Sequence, residues 1–182
     1  MNGADTASSP SPPSGPQPGL PPGSSPARVF AVIALAVFLA ALDMFIVNIA
    51  VPAIQHGFSG ASVADVSWVL NAYAIVFAAL LIPAGKLGDV VGRRRVFIVG
   101  LAAFGVGSAL CAAAPTLDFL IGARVLQGAG AAAVTPTSLG LLLPSVPPAR
   151  RAAAIGGWAA IGPVGGVSGP MLGGVLTQLS WH

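Results

Sequence analysis

From residue 28 onward the chain alternates long apolar runs with short polar breaks. Five runs, over residues 29–53, 66–84, 96–114, 117–143 and 152–176, are predicted to be helices. Each holds about 20 residues or more, and at 1.5 Å per residue that length crosses about 30 Å of hydrocarbon. The tightest break is "APTLD", where Pro115 ends the third helix and the fourth starts almost at once. Residues 1–27 lack this pattern. They carry eight of the 17 prolines, with Ser and Gly filling most of the rest, and read as a disordered tail. Arg28 ahead of an apolar run imitates a signal peptide, but the run is long, contains Asp43 and Asn48, and is followed by four more, which predicts a retained first helix.

Composition turns these helices into a membrane protein. Only 7% of the 182 residues are charged and 55% are hydrophobic, with mean hydropathy +0.87, whereas soluble domains carry about 25% charged residues. So few charges cannot cover a water-facing surface, which excludes a soluble enzyme. The expected fold class is an all-α integral membrane bundle of five transmembrane helices surrounded by lipid. A pI near 10 does not point to nucleic acid, because the net charge of +3 comes from a few cations beside apolar runs and not from a basic face. Cys111, the single cysteine, can form no internal disulfide. His56 and His182 lie too far apart to suggest a metal site. Without a Ser/His/Asp set or a G-x-x-x-x-G-K-[ST] loop, the sequence suggests neither a hydrolase nor direct use of ATP.

The few charges are strongly clustered. The stretch "GKLGDVVGRRR", residues 85–95, places four cations and one acid between two apolar runs. With the tail inside, Arg28, Lys86, Arg93, Arg94, Arg95, Arg150 and Arg151 all fall on the inner side and no Lys or Arg on the outer. Seven against none predicts a cytoplasmic N-terminus and a multi-pass protein of the plasma membrane. Contact with lipid headgroups would also suit Arg95. Topology alone leaves Asp89 and its flanking glycines unexplained.

Two ionisable residues lie inside the apolar runs. Asp43 sits about 21 Å in from the inner end of the first helix, and Arg124 about 12 Å below the outer end of the fourth. In a core of about 30 Å these depths match, and an acid and a base buried there are natural partners because each costs at least a few kcal/mol alone. Such residues mark ion or substrate paths, although a pair that only locks two helices together is the plainer alternative. A neighbouring guanidinium favours the charged carboxylate and burial the neutral one, so small movements can switch its protonation. Arg124 does not readily release a proton, which leaves it to tune or hold Asp43. Gln127 and Asn48 extend a polar path or form interhelical hydrogen bonds. On the fifth helix Gly162, Gly166, Gly169 and Gly173 share a face that another backbone can approach closely, and Pro163 and Pro170 favour bending.

With these residues assembled, the chain resembles the major facilitator superfamily, and within it the fourteen-helix drug/proton antiporters of the EmrB/QacA kind. The stretch between helices two and three is similar to the signature G-x-L-a-D-r-x-G-r-k at Gly85, Leu87, Asp89, Gly92, Arg93 and Arg94, with Val90 where a basic residue is usual. Helix four matches l-x-x-x-R-x-x-q-G-x-g-a-A at Leu120, Arg124, Gln127, Gly128, Gly130, Ala131 and Ala132. Helix five matches the antiporter motif at Gly156, Gly165, Gly169, Pro170, Gly173 and Gly174. Helix one is similar to l-D-x-T-v-v-N-v-A-l-P at Leu42, Asp43, Asn48, Ala50 and Pro52, with Phe45 in place of Thr.

The resemblance implies two six-helix bundles enclosing a substrate cavity near the midplane. It implies proton-coupled efflux of hydrophobic or cationic small molecules, with the proton gradient as energy source and no cofactor. It assigns Arg124 to proton transfer, residues 85–94 to a cytoplasmic latch between the halves, and the helix-five motif to the interface that limits proton leak. The chain stops at "LSWH" after five helices, which implies an N-terminal fragment or truncated product whose partner is the missing C-terminal half. A metabolite symporter and a non-transporting membrane fragment are the alternatives, and continuation of the reading frame past His182 would separate the latter from a transporter. Trp68, Asn71 and Tyr73 on helix two either line the cavity or anchor and pack the helix.

Overall fold

The computed structural model describes residues 26–58 and 62–179. Five α-helices follow one another: α1 (Pro26–Gly57), α2 (Val63–Val91), α3 (Arg93–Ala112), α4 (Leu117–Leu142) and α5 (Arg151–Leu179), with two short 3₁₀ turns between α4 and α5. The expected tail, 1–27, lies outside the described residues apart from Pro26 and Ala27, which already belong to α1. Proline suits a first helical turn because its missing N–H would have no partner there.

The order of the helices agrees with the apolar runs, but their ends differ for local reasons. A capping box starts α2 three residues early: the Asp65 amide donates to Ser62 Oγ at 3.2 Å, and the Ser62 amide donates to Asp65 Oδ2 at 2.9 Å. Thr116 caps α4 in the same way, its Oγ1 accepting from the Phe119 amide at 3.3 Å. The charged stretch 85–95, which falls between the predicted helices 66–84 and 96–114, is almost wholly helical. Only Gly92 leaves the helical path, at φ 110 and ψ 121, and α2 ends and α3 begins there. Gly88 is a buried helical residue and no part of the turn: a Cβ on it would come within 2.8 Å of Thr137 Cγ2 on α4. Gly92→Ala should lower the unfolding free energy in mixed micelles by about 1–3 kcal/mol, the cost of forcing a Cβ into that backbone conformation. Open space around a Cβ at Gly92 makes the loss purely conformational.

Packing sorts the helices into two groups. Buried α4 packs along both α2 and α3, while α1 packs along α5. Glycine brings the backbones together at both seams. A Cβ at Gly128 would come within 2.8 Å of Tyr73 O on α2, and one at Gly107 on α3 within 2.9 Å of the Gln127 backbone. On α5, Gly165 and Gly169 face α1: a Cβ at Gly165 would lie 2.9 Å from Ala41 Cβ, and one at Gly169 would lie 3.1 Å from Phe45 Cβ. The close-packed face of α5 is therefore Gly165, Gly166 and Gly169. Gly162, expected on that face, meets open space at its Cβ position.

Large apolar residues point outward on every helix, among them Leu35, Ile82, Val99, Val125 and Val167. Water would penalise such a surface and lipid does not. Four helical segments among the described residues are long and apolar enough to span a bilayer: Ala27–Val47, Val63–Val91, Arg93–Ala112 and Leu117–Ser145. The up-and-down order places Arg28, Lys86, Arg93, Arg94, Arg95, Arg150 and Arg151 at one end of the bundle.

Candidate functional site

Four helices deliver one polar group each, or more, to a point deep between them. Arg124 and Gln127 lie one turn apart on α4, which puts both on the same face. Asp43 comes from α1, and Arg124 Nη1 donates to its Oδ2 at 2.6 Å. The same nitrogen donates to Gln127 Oε1 at 2.7 Å. Gln127 Nε2 donates to Asp43 Oδ1 at 2.8 Å, so both carboxylate oxygens are bound. The Arg124 side chain is 3% exposed and that of Asp43 18%, so Asp43 is the more accessible member of the pair.

α2 supplies the rest of the arginine's surroundings. Arg124 Nε donates to Val69 O at 3.3 Å, and the guanidinium carbon lies 4.3 Å from the centre of the Tyr73 ring. Tyr73 is buried, donates its hydroxyl to Ala40 O on α1 at 3.3 Å, and stacks on Phe77 at 6.1 Å between centroids. A buried guanidinium needs partners for its donors and its face, and here Nε, Nη1 and the face towards Tyr73 all have them. No buried side-chain nitrogen or oxygen among the described residues lacks a partner.

α3 also enters the site. Gln127 Nε2 donates to Ser108 Oγ at 2.7 Å, and Cys111 Sγ donates to Gln127 Oε1 at 3.6 Å. Neither residue was singled out as a site residue from the sequence. Their spacing of three on an apolar helix is the only signal they carry there.

The remaining sequence candidates fall elsewhere. Asn48, Pro170, Gly173 and Gly174 lie outside the residues whose side-chain surroundings are described. Gly156 sits on an exposed stretch of α5 with open space at its Cβ position. Asp89 accepts from Arg93 at the α2–α3 corner at 3.0 Å, and Arg93 Nη1 also donates to Gly140 O on α4 at 3.0 Å. Gly85 packs beside Pro136 there, while Arg94 is exposed. On α2, Trp68 and Asn71 are exposed, whereas Tyr73 lines a cavity of about 190 Å³ with Met44, Phe77, Thr135 and Trp158. Trp158 Nε1 donates to Ser138 Oγ at 3.0 Å, which ties α5 to α4 at this cavity. His182 and the side chain of His56 lie outside the described residues.

Among the described residues, the apolar helical bundle holds one buried ion pair, Asp43 with Arg124, at its centre. Residues 33–182 match the Major Facilitator Superfamily model, and the chain belongs to that superfamily. It is 42% identical over 151 residues to the "Tetracenomycin C resistance and export protein" of Streptomyces glaucescens, covering 82% of this chain and 28% of that protein. It is 42% identical over 150 residues to the "Multidrug resistance protein Stp" of Mycobacterium tuberculosis, covering 81% of this chain and 28% of that protein. Among solved structures it is similar to a bacterial homologue of the human lysosomal transporter Spinster in an inward-facing, unoccupied conformation. That similarity has a TM-score of 0.73 at 25% identity and covers 83% of this chain and 32% of the other. The chain thus spans about a third or less of the length of the proteins it matches.

Proposed function

We propose that this chain forms the N-terminal part of a proton-driven efflux carrier for hydrophobic or cationic small molecules, in the plasma membrane with its N-terminus in the cytoplasm. The observation that carries this reading is the network of Asp43, Arg124 and Gln127 buried between α1 and α4. A proton on Asp43 removes the charge that holds α1 to Arg124. Arg124 keeps its contacts with Val69 O, Gln127 and the Tyr73 ring. Protonation therefore loosens α1, with the α5 packed along it, from the α2–α3–α4 group while that group stays joined. Carriers of this architecture alternate access by rocking one bundle against the other, and a loosened α1 is the local change that would bias that rocking.

The resistance-and-export relative, the multidrug-resistance relative and the aromatic cavity support the substrate class, since Phe77 and Trp158 offer aromatic surface to apolar or cationic compounds. The seven cations at one end of the bundle support the orientation. Asp89, held by Arg93 near the end of α4, is placed to exchange that partner for one in an opposing half, as a latch would. Gly165 and Gly169 of the helix-five motif let α5 follow α1 closely through such a movement.

The test is Asp43→Asn in the protein at its full natural length, reconstituted in vesicles. Asparagine keeps the shape and loses the titration. Efflux driven by an imposed proton gradient should fall to background while the folded protein accumulates normally, and undiminished coupled efflux would rule out this role.

A further inference from the structure

We propose that Ser108 and Cys111 on α3 are positioning residues for the Asp43 carboxylate, acting through the side-chain amide of Gln127. This rests on the reading of Asp43 as the proton-carrying group. The amide of Gln127 has two N–H donors and one oxygen that can accept twice, and all four positions are used. Two of them dictate its orientation. Ionised Asp43 only accepts, so it must face Nε2, and Arg124 only donates, so it must face Oε1. The other two positions point at α3. Ser108 Oγ accepts the second N–H at 2.7 Å and the Cys111 thiol donates to the oxygen at 3.6 Å. The hydroxyl and the thiol, one helical turn apart, thus fill the two remaining positions of an amide already turned to present an N–H to Asp43.

α3 reaches the amide only because its backbone lies against α4. A Cβ at Gly107, next to Ser108, would come within 2.9 Å of the Gln127 Cα and backbone nitrogen. The α3 and α4 backbones are in direct contact at this seam, which keeps the hydroxyl and thiol beside the amide independently of α1. They therefore hold the N–H where Asp43 must return when it releases its proton. The groups facing Asp43 are Arg124 from α4, Tyr73 from α2 and Cys111 from α3. The only titratable side chain among the described residues of α5 is Arg151, at its far end. Of the neighbours of Gln127, Ser108 sets the amide without being charged itself.

An N–H aimed at a carboxylate favours its ionised form. Ser108→Ala removes the acceptor that anchors the second N–H, so the amide can shift off its position beside α3 and that bond weakens. In the full-length protein reconstituted in vesicles, the pH midpoint of substrate efflux should move upward by about half to one unit, as loss of part of a charge-assisted hydrogen bond implies. Substrate affinity should be unchanged, and Ser108→Thr, which keeps the hydroxyl, should restore the midpoint. Cys111→Ala should give a smaller shift of the same sign, because a thiol is a weak donor. If Ser108→Ala does not accumulate as folded protein, Ser108→Cys carries the test with the same direction of shift. A reduced rate at every pH with an unmoved midpoint, or a shift that threonine fails to reverse, would overturn the proposal. Coupled efflux surviving in Asp43→Asn would instead refute the assignment of Asp43, an outcome read in a different variant.

Discussion

Arg124→Met should lower the stability of the bundle by about 3–5 kcal/mol, the usual cost of removing one partner from a buried ion pair. The arginine joins three helices through Asp43 on α1, Val69 and Tyr73 on α2, and Gln127 on its own α4. Methionine fills much of the same space but leaves a carboxylate, a backbone carbonyl and an amide oxygen without their donor. Lysine repairs little, since its compact ammonium lacks the planar fork whose separate nitrogens reach Val69 O on one side and Asp43 and Gln127 on the other while its face lies over the tyrosine. Combining Arg124→Met with Asp43→Leu should recover much of the lost stability, because no unpaired charge then remains. Unfolding in mixed micelles of the two single variants and the double variant gives the coupling between the residues. The double variant should fold and still fail to couple efflux to protons, which separates the structural value of the pair from the transport role proposed for it.

Gly130→Ala should be the most damaging small substitution in the α3–α4 seam. A Cβ there collides with the Phe104 amide nitrogen and lies 2.7 Å from Gly100 O and 2.8 Å from Phe104 Cα. These are backbone atoms of α3 and have no rotamer to change, so the helices must part. Overpacking of this kind costs about 1–3 kcal/mol. Because Gly130 lies one turn from Gln127, the separation should also pull Ser108 and Cys111 off the amide and disturb the pH dependence of efflux. Gly122→Ala on the same helix is the control. Its Cβ position is open, and alanine there should be neutral or stabilising by up to about 1 kcal/mol from helix propensity. Thermal unfolding of the two variants side by side checks the contrast.

The ion pair was legible in the sequence because charge inside an apolar run has a high price, and two such residues at equal depth have few other ways to lower it. Ser108 and Cys111 were not legible for the converse reason. A hydroxyl or thiol in an apolar helix can bond to its own backbone, as Ser168 does to Val164 O at 2.8 Å, so its presence demands no partner. The stretch 85–95 misled in another way. Its glycines and charges resemble a loop, yet Gly88 serves close packing on Thr137 and Asp89 bonds one turn ahead to Arg93, so the helix runs on to Val91. Gly162 was placed on the packed face of α5 by spacing alone, and the rotation of the helix gives that face to Gly165 instead.

By itself the sequence determined the membrane class, the number and order of the helices, and the two residues that must find each other within them. Those conclusions follow from transfer energies, which depend on residue type and run length and not on neighbours. Tertiary structure decided which way each helix turns and how near it comes. The approach of α3 to α4 across Gly107 and Gly130 makes Ser108 and Cys111 part of the site, and the approach of α4 to α2 across Gly128 brings Tyr73 within reach of Arg124. Hydrogen bonds and ring contacts fail within an ångström or two of separation, a distance that glycine spacing permits and only the assembled bundle sets.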